Sequence, residues 1–509
     1  MKTTGTLPGG SPPTPPAAAS SASSLTRRTF LRSSSVGAAA VTFGAGGVFA
    51  QTPSKQLNIA LVGCGEQGLA QINAMKDLVK DGTVRMMAMA DIWDFNLTYR
   101  ANSFEKLNAG VKVSRYARFE ELLEKESNID AVFIATPDYL HEPYTTMALR
   151  AGKAVYCEKM MSNTVEAARK MVEAQKETGK LCQIGHQRRS NPRYLRMKDE
   201  IIGDPAGVAK NKTGKSLLGQ ITHAYAQWNR EVKPPLSFPK KNIIAPEVLA
   251  EFGYSDMLQF RNWRFFKKFG AGAISDLGAH QIDLFNWLLG TTPVSITACG
   301  GRDYYDGHGM MPDGSTVRPA YETDDNVIVT YEYNVNGRVI RCMYTVLTTT
   351  SSQGIFEKFM GDQGSVVISE DLKNNQVYRE NNALWNAEEL IEEGVLAAIP
   401  GAVHHKFWES PKPWWLQDKW LTKVGVKAGA VDARESKPTG AYELPEVLNK
   451  LPHTPHIENF VDVVLEGKNQ TDLNCPVLEA YKTAVTVLKC NEAIEKKTTI
   501  NFDPAEFTV

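Results

Sequence analysis

The run Leu57–Val62 is apolar except for one asparagine, with the length and character of a strand buried on both faces. Past a glycine-bearing break, Leu69, Ile72, Met75 and Val79 return at helical spacing, and a second largely apolar run follows at Val84–Ala90. The alternation goes on. Residues 131–135 read as a strand ended by Thr136-Pro137, and a helical stretch runs to about Arg150. Ala154–Cys157 is strand-like, 164–178 helical, and 181–185 the last strand. Strands alternating with helices imply a doubly wound parallel sheet of Rossmann type, predicted here over residues 57–190.

Farther on, residues 294–300, 326–333, 339–347 and 365–369 are strand-like and suit a mostly antiparallel sheet. One helix precedes them. Leu277, Leu284, Phe285, Leu288 and Leu289 share a face and form the expected core stripe. Asp276, His280 and Asp283 stand at i, i+4 and i+7 on a different, polar face, with Ser275 as the expected N-cap. The fold class is α/β. Residues 371–455 are rich in Trp, Pro and Lys, as in Pro411-Lys412-Pro413-Trp414-Trp415, and match no motif; they read as an insertion, a lid or an interface.

In doubly wound sheets, ligands gather at the carboxyl ends of the strands. Gly63-Cys64-Gly65-Glu66-Gln67-Gly68 leads from the first strand into a helix. Gly63 permits the tight turn and Gly65 lets the backbone approach a pyrophosphate. Gly68 lets helix and strand pack closely, with phosphate on the helix N-terminus. Asp91 ends the second strand, 23 residues past Gly68. A carboxylate there suits the ribose hydroxyls of NAD and would repel the 2′-phosphate of NADP, the alternative cofactor.

Two further segments stand at strand ends: Thr136-Pro137-Asp138-Tyr139-Leu140-His141 and Glu158-Lys159-Met160. Alone, a Glu-Lys pair is an ordinary surface feature. A helix presenting His280 with a carboxylate one turn away can hold the imidazole in one tautomer and raise its basicity, although such a pattern is also ordinary solvated surface. No third ligand completes a metal site. Trp228, Arg230, Trp263 and Arg264 combine aromatic faces with forked donors, as a polyol or sugar site needs. They read equally as core tryptophans with surface arginines.

The glycine turn, Thr136-Pro137 with His141, Glu158-Lys159 and the later Asp276-x-x-x-His280 occur in one order. That order resembles the Gfo/Idh/MocA family, the relatives of glucose–fructose oxidoreductase and inositol dehydrogenase. The resemblance covers residues 57–190 well and 215–370 more loosely, and it returns from His456 on. Met160 stands where the family usually has proline, which loses a rigid turn residue and keeps the charged pair. The resemblance implies a Rossmann domain followed by an α/β domain over 191–450, carrying the 371–455 insertion. The large open sheet of that second domain often serves as the oligomer interface, so a homo-oligomer is expected. A terminal helical segment, 456–509, returns to the core.

The same resemblance places Lys159 beside the nicotinamide, with its ammonium on the substrate oxygen that gains charge. It gives His280 the hydroxyl proton as hydride leaves carbon, and gives Asp276 the task of positioning the substrate or the histidine, with Asp283 structural. Glu158, Thr136, Pro137 and His141 would line the cofactor alongside Gly63, Gly65, Glu66, Gln67, Gly68 and Asp91. His186, Arg188 and Arg189 follow the last Rossmann strand, where the family also contacts cofactor or substrate. Arg188, Trp228, Trp263 and Arg264 are the substrate-binding candidates.

Charge and composition narrow the picture. Lys+Arg and Asp+Glu balance at 57 each in 509 residues, which excludes a protein held to nucleic acid by overall charge. Seven cysteines are too sparse, and odd in number, for a disulfide scaffold. Cys64, Cys157, Cys182, Cys299 and Cys342 lie in apolar strand-like runs, where free buried thiols are ordinary.

The balance hides one asymmetry. Residues 1–50 hold Lys2, Arg27, Arg28 and Arg32 and no acid, which leaves the remainder at a formal −4. Thr26-Arg27-Arg28-Thr29-Phe30-Leu31 precedes a mildly apolar run that ends Val48-Phe49-Ala50-Gln51. The segment resembles a twin-arginine export signal cleaved after Ala50, rather than a plain basic tail. Gly37, Gly44, Gly46 and Gly47 make its apolar run too weak to anchor in a bilayer, and no other stretch reaches membrane-spanning length. The expected location is the periplasm or another exported site, with the twin-arginine machinery as a partner. That route carries folded proteins, so a tightly bound cofactor is expected to travel with the chain.

Three functions compete. The first is an oxidoreductase moving hydride between a nicotinamide and a sugar, sugar acid or cyclitol. The second is a redox-neutral glycosidase or lyase that oxidises a glycoside transiently with bound NAD. The third is a non-catalytic sensor. Lys159 together with His280 favours the first.

Overall fold

Six short strands build the first sheet: β1 (Leu57–Val62), β2 (Val84–Ala90), β3 (Ser114–Tyr116), β4 (Ala131–Ile134), β5 (Ala154–Cys157) and β6 (Cys182–Ile184). They pair in parallel in the order β3-β2-β1-β4-β5-β6. The computed structural model describes residues 56–107, 110–203, 216–231, 235–314, 316–370, 375–380, 383–399, 440–445 and 448–509. The expected export signal and the Trp414-Trp415 stretch lie outside these residues.

The strands are apolar on both faces because both faces are covered. Leu57, Ile59 and Leu61 pack on one side with Ile457, Phe460 and Val461 of the helix Thr454–Glu466. Ala60 and Val62 face the other side and join a second core. Phe460 meets Phe133 of β4 edge-on, with ring centres 5.5 Å apart. On the second side, the helix Val165–Thr178 begins at Thr164, whose side chain accepts from the Ala167 amide, and ends at left-handed Gly179. The expected turn after β1 is present. Gly63 has φ +92°, and a Cβ there would lie 2.5 Å from the Ala135 carbonyl oxygen.

The second sheet has ten strands: β7 (Ile221–Asn229), β8 (Pro293–Gly301), β9 (Asn326–Val335), β10 (Arg338–Leu347), β11 (Ile355–Gly361), β12 (Gly364–Ile368), β13 (Gln376–Arg379), β14 (Ala397–Ala398), β15 (Gly440–Glu443) and β16 (Ile500–Asn501). Their order is β14-β15-β13-β12-β11-β7-β10-β9-β8-β16. Every neighbouring pair is antiparallel except β7 with β10. Strands β9 and β10 alternate cleanly: Val329, Tyr331, Cys342 and Tyr344 point inward, whereas Ile328, Val339 and Met343 are exposed. Helices Ala279–Leu289 and Val477–Lys496 supply the other side of that inner core. The core is continuous with the second face of the first sheet.

Three expectations need correction. Cys299 is exposed rather than buried, because it pairs opposite Ile328 on the outer face of the sheet. Ser275 is not an N-cap. The chain already turns at Gly272, whose carbonyl accepts from both the Ser275 and Asp276 amides, so Ser275 lies inside a π turn spanning Ile274–Gly278. The face carrying His280 and Asp283 is enclosed rather than solvated, because Arg189 and the terminal helix close over it. Among the described residues, no helix is long and apolar enough to cross a membrane.

Candidate active site

Strand order reverses between β1 and β4, and the crevice at such a switch point is where open α/β sheets take ligands. A cleft of about 810 Å³ opens there. One end is built from Gly63, Gly65, Glu66, Gln67 and Asp91, with Thr136 and Pro137 beside them. A Cβ on Gly65 would meet nothing within 4 Å, so the backbone ahead of the helix Glu66–Ala74 is open to an approaching group. The Asp91 carboxylate accepts from the Cys64 and Trp93 amides, each at 2.7 Å, and its oxygens keep free lone pairs. Burial pushes its pKa up to about 6 despite those two N–H groups. The Thr136 hydroxyl is enclosed and has no partner among the described residues.

Gly68 and His141 do not line this cleft, contrary to expectation; they support it. A Cβ on Gly68 would lie 2.1 Å from the Gly63 carbonyl oxygen, which is why helix and strand approach so closely there. His141 is buried with Nδ1 toward the Met160 carbonyl and Nε2 2.8 Å from the Thr136 carbonyl. It therefore joins the loops that follow β4 and β5. Glu158 lines the cleft and accepts from Gln71 at 3.0 Å.

The other end of the cleft gathers charge. Lys159 leaves β5 directly into it, with only 12% of its side chain exposed. Its ammonium donates to the Asp276 carbonyl oxygen and lies 3.6 Å from that residue's carboxylate. Arg264 Nε donates to the same carboxylate at 3.1 Å, and its guanidinium stacks 4.5 Å over Trp263. Burial alone would raise the Asp276 pKa, but the Arg264, Lys159 and Arg230 charges outweigh it and hold it at about 2. His280 lines the same end, 5.9 Å from the Trp228 ring and 6.3 Å from His186. Burial first, then the Lys159 and Arg188 charges, push its imidazole well below the ordinary range, so it is neutral.

Here the sequence-based pairing is corrected. Neither carboxylate on the helix holds His280. Asp276 is taken by two cations, which outcompete a neutral imidazole, and Asp283 is bonded to Arg189. Arg188 does not reach the cleft either. It is 1% exposed and bonded to Glu357 and Glu370, since a guanidinium without water demands carboxylate partners. Trp228, Arg230, Trp263 and Arg264 do line the cleft.

Sequence reasoning missed Asp138, Glu370 and His453, which also line it. Asp138 lies inside the Thr136–His141 segment, and its position at the end of β4 was the available signal. Burial raises its carboxyl to about 7, with Lys159 pulling down and Asp276 pushing up. Glu370 follows an apolar strand, as Asp91 does. His453 reaches Gln67 of the glycine loop at 3.0 Å from 386 residues away, and no local pattern marks it. Among the described residues, no group of three or more His, Cys, Asp or Glu is placed to hold a metal ion.

Two family models match the chain. Residues 57–186 match "Oxidoreductase family, NAD-binding Rossmann fold", and 247–399 match "Oxidoreductase family, C-terminal alpha/beta domain". The chain belongs to the Gfo/Idh/MocA oxidoreductase family. This family member is 28% identical over 283 residues to inositol 2-dehydrogenase 2 of Saccharopolyspora erythraea, covering 55% of the chain and 67% of that enzyme. Its fold is that of levoglucosan dehydrogenase solved with NADH and L-sorbose, at TM-score 0.60 and 15% identity over 89% of the chain and all of that structure. It is also that of the Caulobacter crescentus aldose–aldose oxidoreductase complexed with glycerol, at TM-score 0.58 and 15% identity over 88% of the chain and all of that structure. The open backbone at Gly65, the Asp91 carboxylate and the unpartnered Thr136 hydroxyl fit a dinucleotide at the first end of the cleft.

Proposed function

We propose that this protein is a dehydrogenase that oxidises, or in reverse forms, a secondary alcohol on a sugar or cyclitol, with NAD held along the cleft. One observation carries the reading: Lys159, His280 and Asp276 meet at one end of a single cleft whose other end is the glycine loop and Asp91. NAD, when bound, supplies the hydride acceptor or donor.

The chain's own residues supply the rest. Lys159 has three N–H donors and gives one to the Asp276 carbonyl oxygen, with that residue's carboxylate 3.6 Å away; a donor left for the cleft bonds the substrate oxygen and stabilises its developing charge. The neutral His280 takes the hydroxyl proton on Nε2, because Nδ1 is enclosed. Asp276 fixes the Lys159 ammonium and the Arg264 guanidinium rather than the imidazole. Trp228 and Trp263 present aromatic faces to the carbohydrate ring.

The test is to release the nucleotide from purified protein by heat, identify it, and screen carbohydrates for NADH formation. Net reduction supports the dehydrogenase. Product without net reduction marks the redox-neutral glycosidase or lyase, and release of NADP overturns the choice of cofactor.

Two further parts belong to this reading. The Arg27-Arg28 segment supports export through the twin-arginine route, with the cofactor carried across on the folded chain. Replacing both arginines by lysine should retain the protein in the cytoplasm, and unchanged export would reject the assignment. The exposed Val294, Ile328, Val339 and Met343 on the outer face of the second sheet support assembly as a homo-oligomer, which sedimentation can test.

A further inference from the structure

Arg188 is enclosed behind the cleft wall. Its two terminal nitrogens donate to Glu357 at 2.7 Å and to Glu370 at 3.2 Å. Tyr194 donates to the other Glu357 oxygen at 2.7 Å, and the guanidinium lies 5.6 Å from the Trp228 ring centre. Glu357 is thus satisfied on both oxygens, whereas Glu370 is satisfied on one. Its Oε1 is shielded from solvent and bonds nothing among the described residues, although the residue itself lines the cleft, as Trp228 and His280 do. A shielded carboxylate oxygen without a donor is costly and calls for one to arrive. Gln187 lines the same cleft, and its side-chain oxygen also lacks a donor among the described residues.

The donor's chemistry follows from the acceptor. An ionised carboxylate only accepts, so the group that satisfies Glu370 carries an O–H or N–H. A substrate carboxylate on this wall would set acceptor against acceptor and like charge against like. Charges of both signs line the cleft: Lys159, Arg230, Arg261 and Arg264 share it with Glu158, Glu231, Asp276 and Glu370, and with Asp138, whose carboxyl is raised to about 7, so the lining as a whole does not select an anion.

We propose that Glu370 is a specificity-determining residue that accepts a hydrogen bond from a substrate hydroxyl other than the one being oxidised, and so selects a neutral polyol over the corresponding sugar acid. Arg188 is a positioning residue in this scheme. It holds one Glu370 oxygen from behind and leaves the other without a donor until a ligand supplies one. The inference rests on the dehydrogenase reading of the same cleft.

The experiment uses the nucleotide-loaded protein with myo-inositol and D-glucose as neutral probes and D-glucuronate as the acidic one. Removing one hydrogen bond to a charged group should lower kcat/KM of Glu370→Ala for the neutral probe by roughly 10- to 100-fold, mostly through KM. Bound nucleotide should stay at the wild-type level, and the ratio of glucuronate to neutral turnover should rise. Glu370→Gln keeps an oxygen for Arg188 and guards against misfolding of the alanine variant; it should shift the same ratio in the same direction. A folded, nucleotide-loaded Glu370→Gln protein with the wild-type ratio overturns the proposal, as does a wild type that prefers glucuronate. The underlying reading fails separately, if Lys159→Ala retains turnover or no neutral probe reduces NAD.

Discussion

Arg189 donates two hydrogen bonds to Asp283, at 2.8 and 2.7 Å, and both side chains are enclosed by protein. The pair ties the turn after β6 to the helix that carries His280, and Thr483 of the terminal helix donates to the same carboxylate at 2.8 Å. Removing one partner of a buried pair strands the other. Asp283→Ala should therefore cost about 3–5 kcal/mol of stability, read by urea unfolding, with Asp283→Asn milder. Burial opposes the charged carboxylate, but Arg189 holds its pKa below the ordinary range, at about 2. A carboxyl depressed on folding adds stability above its unfolded pKa of about 3.9, and that stability is lost as pH falls toward the folded value. The stability of the Asp283→Asn protein, read by urea unfolding, should accordingly fall less steeply than that of the wild type as pH drops from about 4 toward about 2.

In the proposed mechanism Lys159 bonds the substrate oxygen that gains charge, whereas the glycine loop and Asp91, which line the same cleft, lie on other elements. Lys159→Ala should therefore keep its bound nucleotide while turnover drops by about 10²–10³-fold. Nucleotide content by absorbance and steady-state NADH formation measure the two halves independently. Wild-type turnover in this variant would remove Lys159 from the chemistry.

Continuous apolar runs made the first sheet readable, because strands covered on both faces need no polar alternation; β1, β2 and β5 fall where the pattern puts them. β7 and β11 were not legible. β11 carries Glu357 inward to meet Arg188, and a charge at a core position interrupts the apolar signal that marks a strand. The same pair explains the misreading of Arg188: its partner lies 169 residues away, and no local pattern announces a long-range buried ion pair. Lys159, His280 and Asp276 were legible as an ordered set. Which of them pairs with which was not, since that depends on Arg264 arriving from a separate turn.

With Asp91 on the ribose, as proposed, cofactor affinity should depend on pH. Burial raises its carboxyl to about 6, against the favourable amides of Trp93 and Cys64. Ribose hydroxyls donate to the ionised form, so binding of NAD favours loss of the proton. Affinity should rise as pH rises through about 6 and level off above it. Titrating NAD by intrinsic fluorescence across that range tests the sign, and Asp91→Asn should flatten the profile. A wild-type affinity that is constant, or that falls with rising pH, would remove Asp91 from the ribose site.

Two glycines of the same loop should respond oppositely to one added methyl group. At Gly68 a Cβ would lie 2.1 Å from the Gly63 carbonyl oxygen, a backbone atom that cannot swing away. The helix Glu66–Ala74 would have to lift from β1, so Gly68→Ala should cost at least about 1–3 kcal/mol and lose nucleotide as a consequence. At Gly65, φ is −72° and a Cβ meets nothing within 4 Å. Gly65→Ala should leave stability within about 0.5 kcal/mol of wild type. Its methyl group points into open space beside the helix N-terminus, where the pyrophosphate is proposed to lie, so NAD binding should weaken without any loss of fold. Thermal melts alongside NAD titration separate the two outcomes. Equal nucleotide affinity in Gly65→Ala and wild type would mean that the phosphates do not pass over this turn.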